Sequence, residues 1–181
     1  MLTEMEILTS EYIRVKDWQA VRRKCGKGTL LAFRTLGTCR KYGVVLISRL
    51  KHFSPEELDF FIQSTMEERR LLAWVAVCRC HSFIRDFMTG VVRERYLSGM
   101  MEVTFSDYAS FFNDKAQYHP EMTRLSVQTQ GKIRQMVFKM MAEAGIIENK
   151  TRIVPTILPP RLLKILPRED CLNFPMFVGE N

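Results

Sequence analysis

The sequence of 181 residues has no apolar segment long enough to cross a membrane as a helix. Its longest uninterrupted apolar run, residues 71–78, ends at Arg79, whereas a bilayer span needs roughly 18 to 20 residues. Met1 is followed by Glu4 and Glu6 rather than by a basic and then an apolar stretch, so we expect no signal peptide. We therefore expect no membrane partner and a cytoplasmic location.

Cysteine is scarce and unpatterned. The five cysteines are an odd number, which suits reduced thiols better than a disulfide framework. Residues 78–81 read Cys-Arg-Cys-His, but this spacing does not match paired zinc ligands, and on a helix the two thiols point apart. The sequence has no Walker or dinucleotide-binding glycine motif and no recognisable nucleophile motif. We expect no enzyme activity, no metal, no cofactor and no small-molecule substrate.

Positive charge is abundant, and it is concentrated in two blocks. Residues 14–51 contain 11 Lys or Arg and one acid, and residues 124–168 contain nine Lys or Arg and two acids. Between them, residues 52–123 contain seven basic and 11 acidic side chains. Concentrated positive charge attracts a polyanion and releases its counterions. Nucleic acid is therefore the first expected partner.

Helical periodicity and helix-start signals dominate the chain. Capping-box patterns occur at residues 54–57 and 65–68, and the second begins a long predicted helix to about residue 97, bent near Gly90. Further helix starts are predicted at Ser106 or Asp107, at Pro120 and, for a helix over residues 159–166, at Pro159. We predict an all-α, compact helical protein. Its subdomains are residues 1–64 and 65–181, packed as one unit, and Phe174, Met176 and Phe177 tie the tail to the body.

The stronger candidate for a DNA-reading element covers residues 125–147. A helix over 127–144 turns about 100° per residue and places its apolar side chains on one side: Ile133, Met136, Val137, Met140, Met141 and Ala144. The opposite face carries amides and ammonium groups that suit base edges and phosphates: Gln128, Lys132, Gln135 and Lys139. An amphipathic surface helix without DNA contact has the same pattern and stays open as the alternative.

A short hairpin is predicted directly after this helix. Gly145 ends the helix, and strands over 146–148 and 152–154 are joined by residues 149–151. Lys150 and Arg152 then lie where a winged helix-turn-helix carries its wing. The C-terminal element is therefore predicted to be winged-helix-like.

The second candidate covers residues 29–53. A short helix from Thr29 is expected to break at Leu36 and Gly37, and Thr38 is expected to cap a second helix, which gives a helix-turn-helix. Basic side chains lie outside or just upstream: Arg22, Arg23, Lys24, Lys27, Arg40 and Lys41. Because this cluster is nearly all charge, we favour phosphate contacts over base reading, and a solvated face that contacts nothing is the alternative.

Two segments also resemble a known family. LLAWVAVCRCHSFIRDFMTGVVRERY and the stretch from FSDYASFF through LSVQTQGKIRQMVFKMMAEAGII to RLLKIL resemble the BrxA family of BREX bacteriophage-exclusion systems, over roughly residues 20–167. The family formerly carried an inner-membrane label, which the short apolar run contradicts.

The resemblance implies an all-helical bacterial protein with helix-turn-helix elements. It also implies double-stranded DNA binding beside methyltransferase, ATPase and phosphatase-like components. The positions that match the family are Ser126, Thr129, Lys132 and Arg134 in the C-terminal element and Thr38, Arg40 and Arg49 in the N-terminal one.

The leading hypothesis is a non-enzymatic double-stranded DNA-binding protein that is a core component of a BREX phage-defence system. With two reading elements in one chain, a monomer can contact DNA, and we favour a monomer. The first alternative is a scaffold subunit whose basic blocks bind acidic surfaces of other BREX components, with incidental nucleic-acid binding. RNA binding is the second, although few aromatic side chains lie among the basic ones.

Overall fold

The computed structural model describes residues 1–176, which are mostly helical with one small antiparallel sheet. They form two compact units, one from Met1–Cys80 and one that begins at His81. The first unit contains α1 (Leu2–Val15), α2 (Trp18–Lys27), α3 (Leu36–Leu50), α4 (Pro55–Gln63) and α5 (Met66–Cys80). It thus extends beyond the predicted domain boundary at residues 64 and 65, and that domain division stays a prediction.

The second unit is built from shorter elements. It contains α6 (Ser82–Phe87), a π-helical segment (Met88–Val92), α7 (Arg93–Leu97), α8 (Phe105–Tyr118), α9 (Pro120–Thr123) and α10 (Val127–Glu143). These are followed by β1 (Ile147–Glu148), β2 (Arg152–Ile153), α11 (Pro160–Leu163) and α12 (Arg168–Cys171).

Both predicted capping boxes are confirmed. Ser54 Oγ accepts from the Glu57 amide at 3.2 Å, and the Glu57 carboxylate accepts from the Ser54 amide at 2.8 Å. The same reciprocal pair joins Thr65 and Glu68 at the start of α5. Glu57 is buried and also accepts two hydrogen bonds from Arg79, at 2.5 and 2.7 Å, so this side chain fixes the start of α4 to the end of α5.

The prediction of one continuous helix from residue 65 to about 97 is wrong. Its residues are largely helical, but α5 ends at Cys80, and His81 has an extended backbone with φ −131°. The π-helical segment contains Gly90, where the bend was expected, and separates α6 from α7. Capping patterns identify where helices begin, whereas a one-residue break such as His81 leaves the periodicity of the apolar residues almost unchanged.

Aromatic side chains form the core of the second unit. Phe87, Tyr108 and Phe138 are buried, and their ring centroids lie 5.4 to 6.3 Å apart. Such edge-on and tilted contacts are favourable beyond the area they bury. They join α6, α8 and α10, and they decide which face of α10 points inward.

Helix α8 begins slightly before the predicted residues. Its first residue is Phe105, and Thr104 rather than Ser106 or Asp107 is the cap, because Thr104 Oγ1 accepts from the Asp107 amide at 3.2 Å. Burial alone would raise the pKa of Asp107, but hydrogen bonds from Thr104 and the ion pair with Arg95 at 2.5 Å outweigh it and lower the pKa. Asp107 therefore stays charged and links α7 to the start of α8.

The end of the described chain is anchored by the buried side chain of Phe174. Helix α11 is shorter than the predicted helix over 159–166, because regular helical geometry ends after Leu163 and Lys164 is the C-terminal cap. Phe174 is fully buried, as predicted, Met176 is half-buried, and the Thr156 amide donates to the Pro175 carbonyl at 3.0 Å. Phe177 lies outside the described residues.

Candidate nucleic-acid interface

The helix predicted over residues 127–144 is confirmed as α10, which covers Val127–Glu143. Ser126 is its cap and accepts from the Thr129 amide at 3.2 Å, while the two hydroxyl oxygens lie 2.9 Å apart. Gly145 has φ 74°, the left-handed conformation in which helices commonly end. Both ends of the candidate helix are therefore fixed by local chemistry.

The polar face of α10 is on the exposed side. Gln128, Lys132, Gln135 and Lys139 are all exposed, and Lys132 forms no ion pair within residues 1–176. Lys139 is different, because its ammonium lies 3.8 Å from the Glu143 carboxylate and both side chains are largely exposed. The accessible positive charge of this face is therefore concentrated in the first half of the helix.

The apolar face was predicted correctly in part. Val137, Met141 and Ala144 are buried and Ile133 and Met140 are half-buried, but Met136 is 60% exposed. Phe138 is buried in its place, because its ring contacts Phe87, Phe105 and Tyr108. The aromatic cluster thus turns the helix toward Phe138, a preference that periodicity alone does not indicate.

Arg134, a matched family position, does not lie on the polar face. Its guanidinium carbon is 4.9 Å from the centroid of the Phe105 ring, and its Nε is buried without a hydrogen-bond partner in the described structure. A guanidinium over an aromatic face is attracted by the ring electrons. Arg134 therefore holds α10 against the first turn of α8.

The predicted hairpin is confirmed. Strands β1 and β2 pair antiparallel, with Ile147 opposite Ile153 and Glu148 opposite Arg152. Asn149 and Lys150 at the tip have φ 48° and 76°, so Lys150 is held in a left-handed turn and is exposed. Arg152 is exposed as well but lies 3.4 Å from Glu148. Lys150 is thus the exposed cation of the hairpin that forms no ion pair among residues 1–176.

Sequence reasoning missed a third extended segment beside the hairpin. The Val103 amide donates to the Thr151 carbonyl at 2.8 Å, and the Ile153 amide donates to the Met101 carbonyl at 3.0 Å. Residues 101–103 therefore pair with the free edge of β2. The segment is too short for an alternating pattern, and its only signal is its position between Gly99 and the Thr104 cap.

The N-terminal element differs from the prediction. Residues 28–35 are not helical, so the expected helix from Thr29 is wrong, and Gly37 lies in the first turn of α3 rather than in a break. Thr35 is the cap and accepts from the Thr38 amide at 3.1 Å. Residues 28–35 are not helical because Gly28, with φ 70°, ends α2 in a left-handed conformation and the connection to α3 begins there.

Helices α2 and α3 pack closely at one glycine. A Cβ at Gly43 would lie 2.7 Å from Cys25 Cβ, closer than real side-chain contacts allow. The Arg40 Nε also donates to the Gly26 carbonyl at 3.1 Å. These contacts hold α2 and α3, which both carry basic side chains, against each other within the first unit.

Several predicted basic residues already have partners. Lys24 Nζ lies 2.6 Å from Glu11, Arg23 lies 3.5 Å from Asp17, and Arg49 is half-buried. Hydrogen bonds from Arg14 and Lys24 lower the pKa of Glu11 to about 2, so this carboxylate is charged and offsets both cations. The exposed cations without an ion pair among residues 1–176 include Arg22, Lys27 and Lys41.

Two further observations concern membrane spans and metal ligands. Within residues 1–176, no helix combines the length and apolarity of a membrane span. The same residues contain no group of three or more His, Cys, Asp or Glu side chains placed to hold a metal ion.

Comparison with known proteins identifies the family. The chain is 20% identical over 152 residues to the BREX protein BrxA of Escherichia coli O9:H4 (strain HS), an alignment that covers 84% of this chain and 71% of the relative. The family model for BrxA matches residues 1–170. Because that match extends over nearly the whole chain, the protein belongs to the BrxA family.

Proposed function

We propose that the protein is a non-enzymatic double-stranded DNA-binding component of a BREX phage-defence system. Membership of the BrxA family indicates the BREX component. The observation that supports DNA as its ligand is the exposed row of Gln128, Lys132 and Gln135 on a capped helix that is followed by a hairpin with Lys150 at its tip.

The order of elements in the second unit supports a winged helix-turn-helix. The extended residues 101–103 come before α8, α10 follows, and then β1 and β2 form the hairpin, with residues 101–103 on the outer edge of β2. In this arrangement α10 is the reading helix and the hairpin is the wing. Helix α9 lies between α8 and α10 and lengthens the turn.

The side chains of α10 suit a major groove. Glutamine can donate to and accept from an adenine edge, and lysine can donate to guanine or to a phosphate oxygen. The hydroxyls of Ser126 and Thr129 are engaged in the cap, so they position the helix start rather than read bases. Lys150 at the wing and Arg22, Lys27 and Lys41 in the first unit add phosphate contacts, which carry affinity without sequence information.

The test is an electrophoretic shift titration of a random-sequence DNA duplex from low to moderate salt. Each phosphate contact releases counterions and contributes about −0.9 to the slope of log affinity against log salt. We expect steep salt dependence and preference over an RNA duplex. Absent binding, or binding that is independent of salt, would overturn the proposal. Co-purification of other BREX components that survives nuclease and high salt, in a chain that binds no duplex, would favour a scaffold subunit.

A further inference from the structure

Helices α3 and α10 begin in the same way. Each has a hydroxyl cap, Thr35 or Ser126, that accepts from the amide of a threonine three residues later. The paired hydroxyl oxygens lie 2.8 Å apart in α3 and 2.9 Å apart in α10. The first helical residue is an exposed apolar side chain in both, Leu36 at 53% and Val127 at 85% exposure.

The match continues along both helices. Counted from the cap, the sixth residue is an exposed lysine in each case, Lys41 and Lys132. The buried positions also correspond: Leu46 with Val137, Ile47 with Phe138 and Leu50 with Met141. The two helices therefore present the same arc to solvent.

The side chains on that arc differ in kind. Where α10 has Gln128 and Gln135, α3 has Gly37 and Val44. Gly37, Lys41 and Val44 fall within an arc of about 60° at the helical rotation per residue. Val44 is 43% exposed on the same arc as Lys41, and α3 contains no carboxylate.

On this arc of α3, Gly37, Lys41 and Val44 are exposed, whereas Ser48 in the following turn is half-buried. Farther along the same arc, Ser48 Oγ lies 3.8 Å from Cys80 Sγ of α5. On another side, Gly43 packs against Cys25 of α2. A helix that is supported along its length and open at its start matches the way reading helices contact base edges with their N-terminal residues.

We infer that α3 is a base-reading helix, and that Val44 contacts the C5 methyl group of thymine in the major groove. That methyl is the apolar group that the major groove presents, and an aliphatic side chain is its natural partner. Gly37 allows the helix to approach closely, and Lys41 contacts a neighbouring phosphate or guanine. The inference rests on the proposed duplex binding, but it changes the role of the first unit from phosphate contact alone to sequence reading.

The experiment compares two duplexes that differ only in this methyl group, an alternating dA-dT duplex and the same duplex with deoxyuridine in place of thymidine. We expect the wild-type chain to bind the thymine duplex about three- to fivefold more tightly, the worth of about one buried methyl group. Val44→Ala removes most of the apolar surface that would cover the methyl group, so it should reduce this ratio and leave affinity for the deoxyuridine duplex almost unchanged. Ile157→Ala, which removes an exposed aliphatic side chain outside both helices, should keep the wild-type ratio.

Two results would overturn the inference while the proposed function stands. They are equal, salt-dependent binding of both duplexes by the wild-type chain, and an unchanged preference in Val44→Ala. Failure of the wild-type chain to bind either duplex, or random-sequence DNA, would overturn the proposed function as well. Any difference in stiffness between the two duplexes affects the affinity ratio of every variant equally, so it cancels when the ratios of two variants are compared.

Discussion

The guanidinium of Arg134 lies over the ring of Phe105, with 4.9 Å between the guanidinium carbon and the ring centroid. Arg134 belongs to α10 and Phe105 opens α8, so the contact sets the angle between the proposed reading helix and its support. Its positive charge is therefore used in a contact inside the second unit.

Replacing this arginine should change stability more than charge-dependent binding. Arg134→Met keeps an unbranched side chain but removes the guanidinium and with it a contact worth about 1 kcal/mol, so the melting temperature should fall by roughly 2–4 °C. Because Arg134 does not contact phosphate, the salt slope should stay at the wild-type value. A lower slope with an unchanged melting temperature would contradict this role.

Lys132 and Lys139 should contribute unequally to DNA binding. Lys132 is exposed and forms no ion pair among the described residues, whereas Lys139 is near Glu143. Lys132→Ala should reduce the salt slope by about 0.9, and Lys139→Ala should reduce it less. Equal effects of the two variants in the salt titration would show that the Glu143 contact is unimportant.

Glu143→Gln should tighten binding at low salt. The substitution removes a negative charge from the exposed face of α10 and releases Lys139. Glu67→Gln, which makes the same change in net charge at the start of α5, serves as the control and should have a smaller effect. If both variants bind alike, only overall charge matters at this face.

The wing can be tested without damaging the hairpin. Lys150 has φ 76°, a conformation that glycine adopts without steric cost, so Lys150→Gly should keep or raise the melting temperature. It should nevertheless weaken duplex binding, because it removes the accessible cation of the tip. Asn149 also has a positive φ, so Asn149→Gly removes the same kind of backbone strain without a loss of charge. This variant should bind DNA like the wild type. Unaltered binding by Lys150→Gly would place the hairpin away from DNA.

Gly43 should be the sensitive glycine of the first unit. A Cβ there would lie 2.7 Å from Cys25 Cβ, so Gly43→Ala should destabilise folding by about 1–3 kcal/mol. A Cβ at Gly26 would meet no atom within 4 Å, and Gly26→Ala should be neutral or stabilising by up to about 1 kcal/mol. Denaturant unfolding of the two variants checks the contrast, and equal stabilities would contradict the close packing of α2 and α3.

Lowering the pH should remove the contribution of Glu11 to the free energy of unfolding. Its pKa is lowered to about 2 from 4.5, so its contribution to stability is present above about pH 4.5 and is lost as pH falls toward 2. Glu11→Gln should therefore narrow the stability difference from wild type as pH falls through this window. A difference that stays constant from pH 5 to pH 3 would exclude the ion pairs with Arg14 and Lys24 as its source.

Much of the architecture follows from local sequence signals. The caps at Ser54 and Thr65 and the glycine stop at Gly145 depend on hydrogen bonds and backbone conformation within a few residues, so sequence alone locates them. The same holds for the hairpin, whose turn residues and short apolar strands are contiguous. Those elements were predicted close to their observed positions.

The sequence predictions are wrong where residues far apart in the chain determine burial, helix starts or charge partners. Met136 is exposed because Phe87, Phe105 and Tyr108 draw Phe138 inward, and these rings lie on other helices. Helix α3 is capped by Thr35 and not, as predicted, by Thr38, because Gly28 ends α2 and Leu31 is buried in the connection between the two helices. Likewise, Lys24 and Arg134 look like DNA contacts in the sequence, but Glu11 and Phe105 engage them. The local sequence pattern shows the charge of a side chain but not the residue that it contacts in the folded protein.

The pairing of residues 101–103 with β2 has a consequence for how the second unit folds. Thr151 Oγ1 donates to Glu102 at 2.8 Å across a separation of 49 residues, and the intervening chain contains α8, α9 and α10. Closing so large a loop costs entropy before its contacts repay it, and non-local pairing slows folding. The proposed reading helix therefore has local caps, whereas the hairpin that follows it is held by residues about 50 positions earlier in the chain.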